Sequence, residues 1–439
     1  MTSIDVIERR TDWACDIMPV LPWLKSLPSG KVHCWVTSPP YFGLRSYLPK
    51  DHPDKVHEIG TEATPAEFVD KMVALFGEAH RALHDSGVLW LNLGDCYNAA
   101  GRTGRGTRVG YKQSTNRASA AGVDFNRPSD PNLKPKDLMG VPWLVAFAMR
   151  EAGWYLRQWM PWVKRNPMTE SVEDRPVSAC ESIFLLSKSA NYFYDFVAVR
   201  RADAGYDQGN RDGYDREARI TGGGKDRRGS PTPYAAGSGR NLRNNDLWFD
   251  SVGLLLNDNG DPLGLDSNVG NFKGSHFASF PRQLIEPLIL CGSSEKGVCP
   301  DCGSPWERQF ERERVATRPG NETKVGRVSD DENSPYQGHG GSVVGNRDPQ
   351  RHCTKFTTTG WEPTCKCGKA AVPAVVGDMF AGTGQTLAVT REHGRVAIGC
   401  DIDARNLEFI HKRMTNVTPN LMTQFLGGGL EDGSAAGTT

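Results

Sequence analysis

The tetrapeptide Ser38-Pro39-Pro40-Tyr41 places hydrogen-bond acceptors beside an aromatic ring, directly after the strand-like run 32–37. Proline fixes φ and lacks an N–H, so Pro39 and Pro40 can neither continue a sheet ladder nor lie inside a helix. The segment therefore predicts a rigid edge of acceptors, including the Ser38 hydroxyl and the Pro39 carbonyl, next to the Tyr41 ring. A plain loop is the alternative that these four residues alone leave open.

A glycine-rich turn near the other end of the chain has the residues of a nucleotide site. An apolar strand at 374–379 leads into Phe380-Ala-Gly-Thr-Gly384, a helix follows, and a second strand at 396–401 ends in Asp401. Glycines let the backbone approach a ligand, a helix start offers free N–H groups, and an acid after the second strand can bind ribose hydroxyls. The turn lacks the third glycine of a dinucleotide fingerprint, so NAD is disfavoured without being excluded, and a tight turn with no ligand is the other interpretation.

Four of the eleven cysteines have the spacing of metal ligands. Cys299-Pro-Asp-Cys302-Gly forms a knuckle that can place two thiolates on one ion, and Cys365-Lys-Cys367-Gly offers a second pair. Four sulfurs predict a structural tetrahedral zinc site, which would hold a small module together. Free thiols are the alternative, and His352 or Cys353 could replace one ligand.

Alternating strands and helices predict a wound α/β sheet. Thr64-Pro65-Ala66-Glu67 has the pattern of a capping box that starts a helix, which we expect Asp85-Ser86-Gly87 to end. The remaining predicted elements are strands at 32–37, 88–93, 183–186 and 192–194 and a helix at 138–152. Residues 201–270 and 303–364 have a loop-like composition and are not expected to form sheet.

The bulk composition is that of a soluble protein of 439 residues with zero formal net charge. This balance argues against a globally basic nucleic-acid binder, although a basic surface need only be local. Residues 101–118 carry such a local excess of Arg and Lys, for which a solvated loop is the alternative interpretation. No apolar run could span a bilayer and the N-terminus does not resemble a signal peptide, so we expect a cytoplasmic protein without a membrane segment.

In combination, Thr37-Ser-Pro-Pro-Tyr41 and Phe380-Ala-Gly-Thr-Gly384 resemble the motifs of the S-adenosylmethionine-dependent DNA amino-methyltransferases. The resemblance covers most of residues 10–200 and 274–415, and further blocks of the family's succession are seen at 134–143, 153–157, 162–167 and 276–281. The catalytic strand comes first and the cofactor unit last, as in the permuted β-type arrangement. The resemblance implies the Rossmann-like doubly wound sheet of a class I methyltransferase, to which loop-rich insertions and a small zinc knob are added.

The resemblance also implies a site for S-adenosylmethionine. Its methionine and ribose would lie along Asp378, Phe380, Gly382 and Gly384, its ribose hydroxyls on Asp401 and its adenine amine near Asp16, with Phe277 and Phe280 at the border of the cofactor. A helix cap is the alternative for Asp16, core packing for the two phenylalanines, and a surface acid for Asp401.

The catalytic tetrapeptide acquires a chemical role from the same resemblance. The exocyclic amine of a base is a poor nucleophile, and the Ser38 hydroxyl and Pro39 carbonyl would accept its N–H groups while Tyr41 stacks on a base flipped out of the duplex. Ser at the first position is more usual for N4-cytosine enzymes of the family, so cytosine is favoured and N6-adenine is the alternative. Trp162, Lys164 and Asn166 are expected to support the flipped base or a phosphate, with core packing as the alternative for Trp162. The sulfonium cofactor is already activated, so the predicted zinc is structural.

The predicted domain organisation has a catalytic half at 1–200, a target-recognition region at 201–270, a cofactor-binding half at 271–298 and 368–425, a zinc-knuckle insertion at 299–367 and a disordered tail at 426–439. The expected partner is double-stranded DNA, whereas a cognate restriction endonuclease and the choice between monomer and homodimer stay open.

Two other functional classes remain: an NAD-dependent oxidoreductase, which leaves the tetrapeptide unexplained, and a non-enzymatic DNA-binding protein with a decayed methyltransferase core.

Overall fold

The computed structural model describes residues 1–43, 46–49, 51–98, 130–163, 175, 178, 180–199, 280–316 and 352–417. Several sequence predictions lie outside these ranges: the basic segment 101–118, the target-recognition region 201–270, the tail 426–439, and the side chains of Lys164, Asn166 and Phe277. No helix in the described ranges is long and apolar enough to cross a membrane.

The strands of the described chain are β1 (Trp13–Ile17), β2 (Val32–Thr37), β3 (Leu83–Leu93), β4 (Tyr155–Val163), β5 (Cys180–Ser187), β6 (Trp306–Ala316), β7 (His352–Pro363), β8 (Val375–Asp378) and β9 (Val396–Asp401). The helices are α1 (Ser3–Ile7), α2 (Val20–Ser26), α3 (Pro65–Ala82), α4 (Val141–Glu151), α5 (Arg282–Gly292), α6 (Gln385–Glu392) and α7 (Asn406–Thr415). A short 3₁₀ helix spans Pro53–His57.

Seven strands form the central sheet in the order β1-β9-β8-β2-β3-β5-β4. The first five run parallel, and β5 is antiparallel to both of its neighbours. Pairing of β2 with β8 places Trp35 opposite Gly377, and a Cβ atom at Gly377 would approach Trp35 Cζ3 to 2.1 Å. The ends of β2 and β8 are therefore neighbours, which agrees with the permuted β-type arrangement that the resemblance implies.

Helices cover both faces of the sheet, because successive strand residues point to opposite sides. On one face α2, α3 and α4 pack against residues that include Trp35 and Leu89. On the other face α5 and α6 pack against a second cluster that includes Val36 and Val88. The predicted doubly wound α/β sheet is confirmed.

Helix α3 begins as predicted, with the Thr64 side chain accepting the backbone N–H of Glu67. Its predicted end was wrong, because α3 stops at Ala82 and β3 starts at the next residue. The amides of Gly30 and Lys31 donate to the last helical carbonyls, which brings the chain directly alongside β2. Asp85-Ser86-Gly87 instead occupies an irregularity in the pairing of β2 with β3.

The strand predicted at 192–194 was also wrong. Phe193 N donates to Ser86 O, and the Asp195 carboxylate accepts two amides of the turn that follows, so this segment makes single contacts and no ladder. The edge strand is β4, which runs from Tyr155 to Val163 next to β5.

The loop-like interpretation of 303–364 was wrong for its two ends. Strands β6 and β7 form a separate antiparallel ribbon that pairs Trp306 with Pro363 at one end and Ala316 with His352 at the other. The charged sequence of β6 lacks an apolar run; among the described residues the ribbon packs Phe310 and Phe356 on Phe196 and buries Arg308 against Asp195.

Candidate active site

The carboxyl ends of β2 and β8 bring the two predicted motifs together. Thr37 Oγ1 donates a hydrogen bond of 2.8 Å to Asp378 Oδ1, and Phe380 N donates to the same oxygen at 3.0 Å. Burial raises the pKa of Asp378, while hydrogen bonds from Thr386, Phe380 and Thr37 oppose that rise. This junction connects the Ser38–Tyr41 turn to the glycine turn at the point where ligands bind in open α/β sheets.

A polar cluster at this edge joins Ser38 and Tyr41 to Asn92 and Glu181. Asn92 Nδ2 lies 3.2 Å from Ser38 Oγ, 2.7 Å from Tyr41 Oη and 3.1 Å from Glu181 Oε2. Tyr41 Oη donates to Glu181 Oε2 at 2.6 Å, and Ser38 Oγ lies 3.4 Å from Tyr41 Oη. The four side chains thus form one connected hydrogen-bond network.

The proton directions within this polar cluster follow from its acceptors. The Tyr41 hydrogen points to the Glu181 carboxylate, so Ser38 is the donor in the contact between Ser38 and Tyr41. Burial, and then the Glu181 carboxylate, raise the pKa of Tyr41 well above its ordinary value, so the phenol keeps its proton. The Ser38 hydrogen is therefore directed inward and one oxygen lone pair remains for an external N–H.

The Tyr41 ring packs against the apolar core and lies close to the backbone of Gly94. A Cβ atom at Gly94 would approach Tyr41 Cε2 to 2.5 Å, so only glycine leaves room for the ring at the end of β3. Asn92 is buried within the apolar run 88–93, and its Oδ1 has no hydrogen-bond partner among the described residues. A buried amide in an apolar strand was the one available signal for Asn92, whereas nothing in the sequence around Glu181 indicated its role.

The glycine turn binds the carboxylate at the end of β9. Gly382 N donates to Asp401 Oδ2 at 2.7 Å, while Asp403 N and Asn406 Nδ2 donate to Oδ1. Burial raises the pKa of Asp401 to about 6. Gly382 and Gly384 have φ of +52° and +76°, which favour glycine, and Gly384 directly precedes α6.

Asp16 and Phe280, the other predicted cofactor residues within the described ranges, make contacts inside the protein. Asp16 lies on β1 beside β9, where its Oδ2 accepts Ser3 N, Ser3 Oγ and Trp23 Nε1. This carboxylate therefore binds the first turn of α1, in partial agreement with the capping alternative. Phe280 is half-buried and packs near the half-buried Trp162, with 6.3 Å between the ring centroids.

The four predicted zinc ligands come together at the base of the β6–β7 ribbon. The thiol sulfurs of Cys299, Cys302, Cys365 and Cys367 all lie within 4.8 Å of one another. This cysteine cluster lies apart from the polar cluster of Ser38, Tyr41, Asn92 and Glu181.

Comparison with known proteins assigns the family. The sequence model of the N6/N4 DNA methylases matches residues 32–303, more than half of the chain. The chain belongs to this DNA methylase family. The match includes the Ser38–Tyr41 turn and strands β2, β3 and β5, which carry the polar cluster. The family of this methylase is therefore assigned from the same part of the chain that forms the polar cluster.

Curated relatives of this methylase include type II methyltransferase M.Cfr9I of Citrobacter freundii, 39% identical over 271 residues that are 62% of this chain and 69% of the relative. Type II methyltransferase M.XycI of Xanthomonas campestris pv. cyanopsidis is 36% identical over 274 residues, which are 62% of this chain and 70% of the relative. The solved PvuII DNA methyltransferase (cytosine-N4-specific) aligns over 95% of this chain and 90% of its own, with 12% identity and a TM-score of 0.44. A score this low adds nothing to the assignment.

We expect Thr37→Val to lower the free energy of unfolding by about 1–3 kcal/mol, because the buried Asp378 carboxylate loses the hydrogen bond from Thr37 Oγ1. The measurement is chemical denaturation at neutral pH. Thr390→Val is the matched control, since the Thr390 hydroxyl is buried and has no partner among the described residues. That control should be neutral or stabilising, and an equal loss in both variants would contradict the role of the junction.

Proposed function

We propose that this methylase transfers the methyl group of S-adenosylmethionine to the exocyclic N4 amine of a cytosine in double-stranded DNA. The observation that carries the proposal is the polar cluster, which holds the Ser38 oxygen at the end of β2 with its hydrogen directed away from the site. Such an oxygen accepts an N–H from an amine, as methyl transfer to that amine requires.

The residues at the ends of β8 and β9 fit an adenosyl cofactor. Asp401 is half-buried and already bound by three donors, so its carboxylate is held in place to accept hydroxyl groups of a ribose. Gly382 and Gly384 keep the backbone of the turn free of Cβ atoms beside Asp378 and Phe380. When bound there, the cofactor supplies an electrophilic methyl group attached to a sulfonium.

The base is proposed to leave the duplex before it reacts. Flipping costs a few kcal/mol, which stacking on an aromatic ring of roughly 1–3 kcal/mol can largely offset. Tyr41 is the aromatic ring of the turn, and its hydroxyl anchors it to Glu181 and Asn92 so that its position is fixed before the base arrives.

Ser38 Oγ and the Pro39 carbonyl accept the two N–H groups of the amine, so that its lone pair faces the methyl group. Methylation would make the nitrogen more acidic, so that it would have to lose a proton. Ser38, Tyr41 and Glu181 provide a route for this proton, which we call the Ser38–Tyr41–Glu181 relay. The amine proton moves to Ser38 Oγ, the Ser38 hydrogen moves to Tyr41 Oη, and the Tyr41 hydrogen moves to Glu181. The contact of 3.4 Å between Ser38 and Tyr41 is expected to shorten in the DNA complex.

N6-adenine is the second candidate base, since its exocyclic amine also presents two N–H donors and the family includes both activities. Ser at position 38 favours cytosine. The relatives are named type II methyltransferases, which supports a role in protecting DNA from a cognate restriction endonuclease.

The target base can be identified directly. Incubation with unmethylated duplex DNA and S-adenosylmethionine, digestion to nucleosides and mass spectrometry should give N4-methylcytosine. We expect Ser38→Ala to reduce turnover by at least about 100-fold while cofactor binding is retained. N6-methyladenine as the product would overturn the cytosine assignment, and no methylated nucleoside would overturn the proposed function.

The relay predicts that Tyr41→Phe, which keeps the ring and removes the hydroxyl, lowers kcat by about 10- to 100-fold and leaves the Kd for DNA and cofactor unchanged. Glu181→Gln should also lower kcat, because an amide oxygen is a much weaker final acceptor for the proton than a carboxylate. Tyr155→Phe, at an exposed tyrosine at the start of β4, is the matched control and should keep wild-type turnover. A Tyr41→Phe enzyme with wild-type kcat would exclude the relay.

The raised pKa of Asp401 predicts a pH-dependent affinity for S-adenosylmethionine. Below about pH 6 the carboxyl is protonated and loses acceptor strength for the ribose, so affinity should fall, whereas Asp401→Asn should bind weakly at all pH values. Titration calorimetry from pH 8 to pH 5 measures this. Protonation of Asp401 does not itself unfold the protein, because a carboxyl with a raised pKa binds its proton more tightly in the folded state. A wild-type affinity that stays constant over this range would contradict the role of Asp401.

A further inference from the structure

The cysteine cluster of Cys299, Cys302, Cys365 and Cys367 has the composition and the dimensions of a tetrahedral metal site. Its four sulfurs lie within 4.8 Å of one another, and the four side chains range from buried at Cys299 to exposed at Cys302 and Cys367. In a zinc site with bonds of about 2.3 Å the sulfurs lie roughly 3.8 Å apart, so small side-chain rotations suffice to complete it.

The local backbone explains why the first pair of sulfurs converges. Cys299 N donates to Ser304 O at 2.8 Å and Gly303 N donates to Cys299 O at 2.9 Å, which closes a tight turn around Cys302. Gly303 has a φ of +78°, which favours glycine, immediately after the second ligand of this turn.

The second pair is held against this turn from both flanks. Thr364 Oγ1 donates to Pro305 O at 2.7 Å on one side. On the other side Val298 and Val372 exchange backbone hydrogen bonds of 2.8 and 2.9 Å. The two cysteine pairs, distant in sequence, are therefore fixed at one place by contacts that do not involve the sulfurs.

The cluster lies at the edge of the sheet opposite to the active site. His84 Nε2 lies 3.1 Å from Cys302 O, and a Cβ atom at Gly303 would approach the His84 ring to 2.8 Å. His84 follows Leu83, which pairs with Val32 at the start of β2, whereas Asn92 follows Leu91, which pairs with Thr37 at its end; five residues of extended strand separate the two positions by roughly 16 Å. A metal at the cluster is thus too distant to touch the reacting amine.

We propose that the four cysteines bind one Zn²⁺ as thiolates, and that this ion closes the base of the β6–β7 ribbon onto the amino edge of the sheet. Four thiolates in a tetrahedral arrangement suit zinc. Among the described residues the ribbon buries a small aromatic cluster and the Arg308–Asp195 ion pair, and the ion adds a cross-link at its base. Its contribution is to folding and not to methyl transfer.

Metal content is the first test. Protein purified without chelator and without added metal should contain one zinc ion per chain by mass spectrometry of the digested sample. Cys302→Ser and Cys365→Ser should lower the content to below about 0.1 ion per chain, whereas the exposed Cys180→Ser control should keep one. Absence of bound metal in the wild-type protein, or iron in place of zinc, would overturn the assignment.

Thiol reactivity tests the site without relying on variants that fail to fold. In the folded wild-type protein the ligands should resist an aromatic disulfide reagent until a strong chelator is added, after which four more thiols per chain react. Removal of zinc should lower the midpoint of thermal unfolding while the protein still binds S-adenosylmethionine at low temperature. If chelation released no additional thiols, the proposal would fail whatever the result of the methylation assay.

Discussion

Parallel pairing of β2 with β8 is the constraint on which the rest of the site depends. It joins Thr37 to Asp378 through a buried hydrogen bond between residues 341 positions apart. A buried carboxylate without donors would be costly, so this bond and the Phe380 amide hold the two strand ends in one geometry. Both functional turns start from this junction, and their relative position is therefore set by the sheet and not by the loops.

The antiparallel strand β5 adds the second constraint. Its first residues lie at the same edge as the last residues of β2 and β3, because β5 runs against them. Glu181, the second residue of β5, can consequently reach the Tyr41 hydroxyl at 2.6 Å. With β5 parallel to its neighbours, Glu181 would lie at the opposite edge, on the side of the cysteine cluster.

The sequence was sufficient for features whose signal is local. A strand, glycine turn, helix and strand over 374–401 follow from apolar runs and glycine spacing, whereas the meeting of the strand ends of β2 and β8 was implied only by the family resemblance. The cysteine pairs were found because thiol spacing is itself a local pattern. These elements were predicted with boundaries within a few residues.

Features that depend on distant partners could not be found in this way. Asn92 and Glu181 are single polar residues whose role depends on their hydrogen bonds with Tyr41, and no local sequence pattern indicates those contacts. The β6–β7 ribbon is stabilised by pairing and a small aromatic cluster, so its charged sequence gave no sheet pattern. Asp16 shows the opposite case, in which a predicted ligand-binding carboxylate is largely occupied with Ser3 and Trp23.

The close fit of Gly377 against the Trp35 ring has a consequence for motion. Strands β2 and β8 are in direct contact at this point, with continuous pairing on either side of the β2–β8 boundary. Opening the sheet there would break the ladder and expose a buried tryptophan, which makes this boundary a poor hinge. Any change of shape that admits a ligand at the carboxyl edge is therefore expected in the turns that follow the strands, while the paired strands beneath them keep their positions.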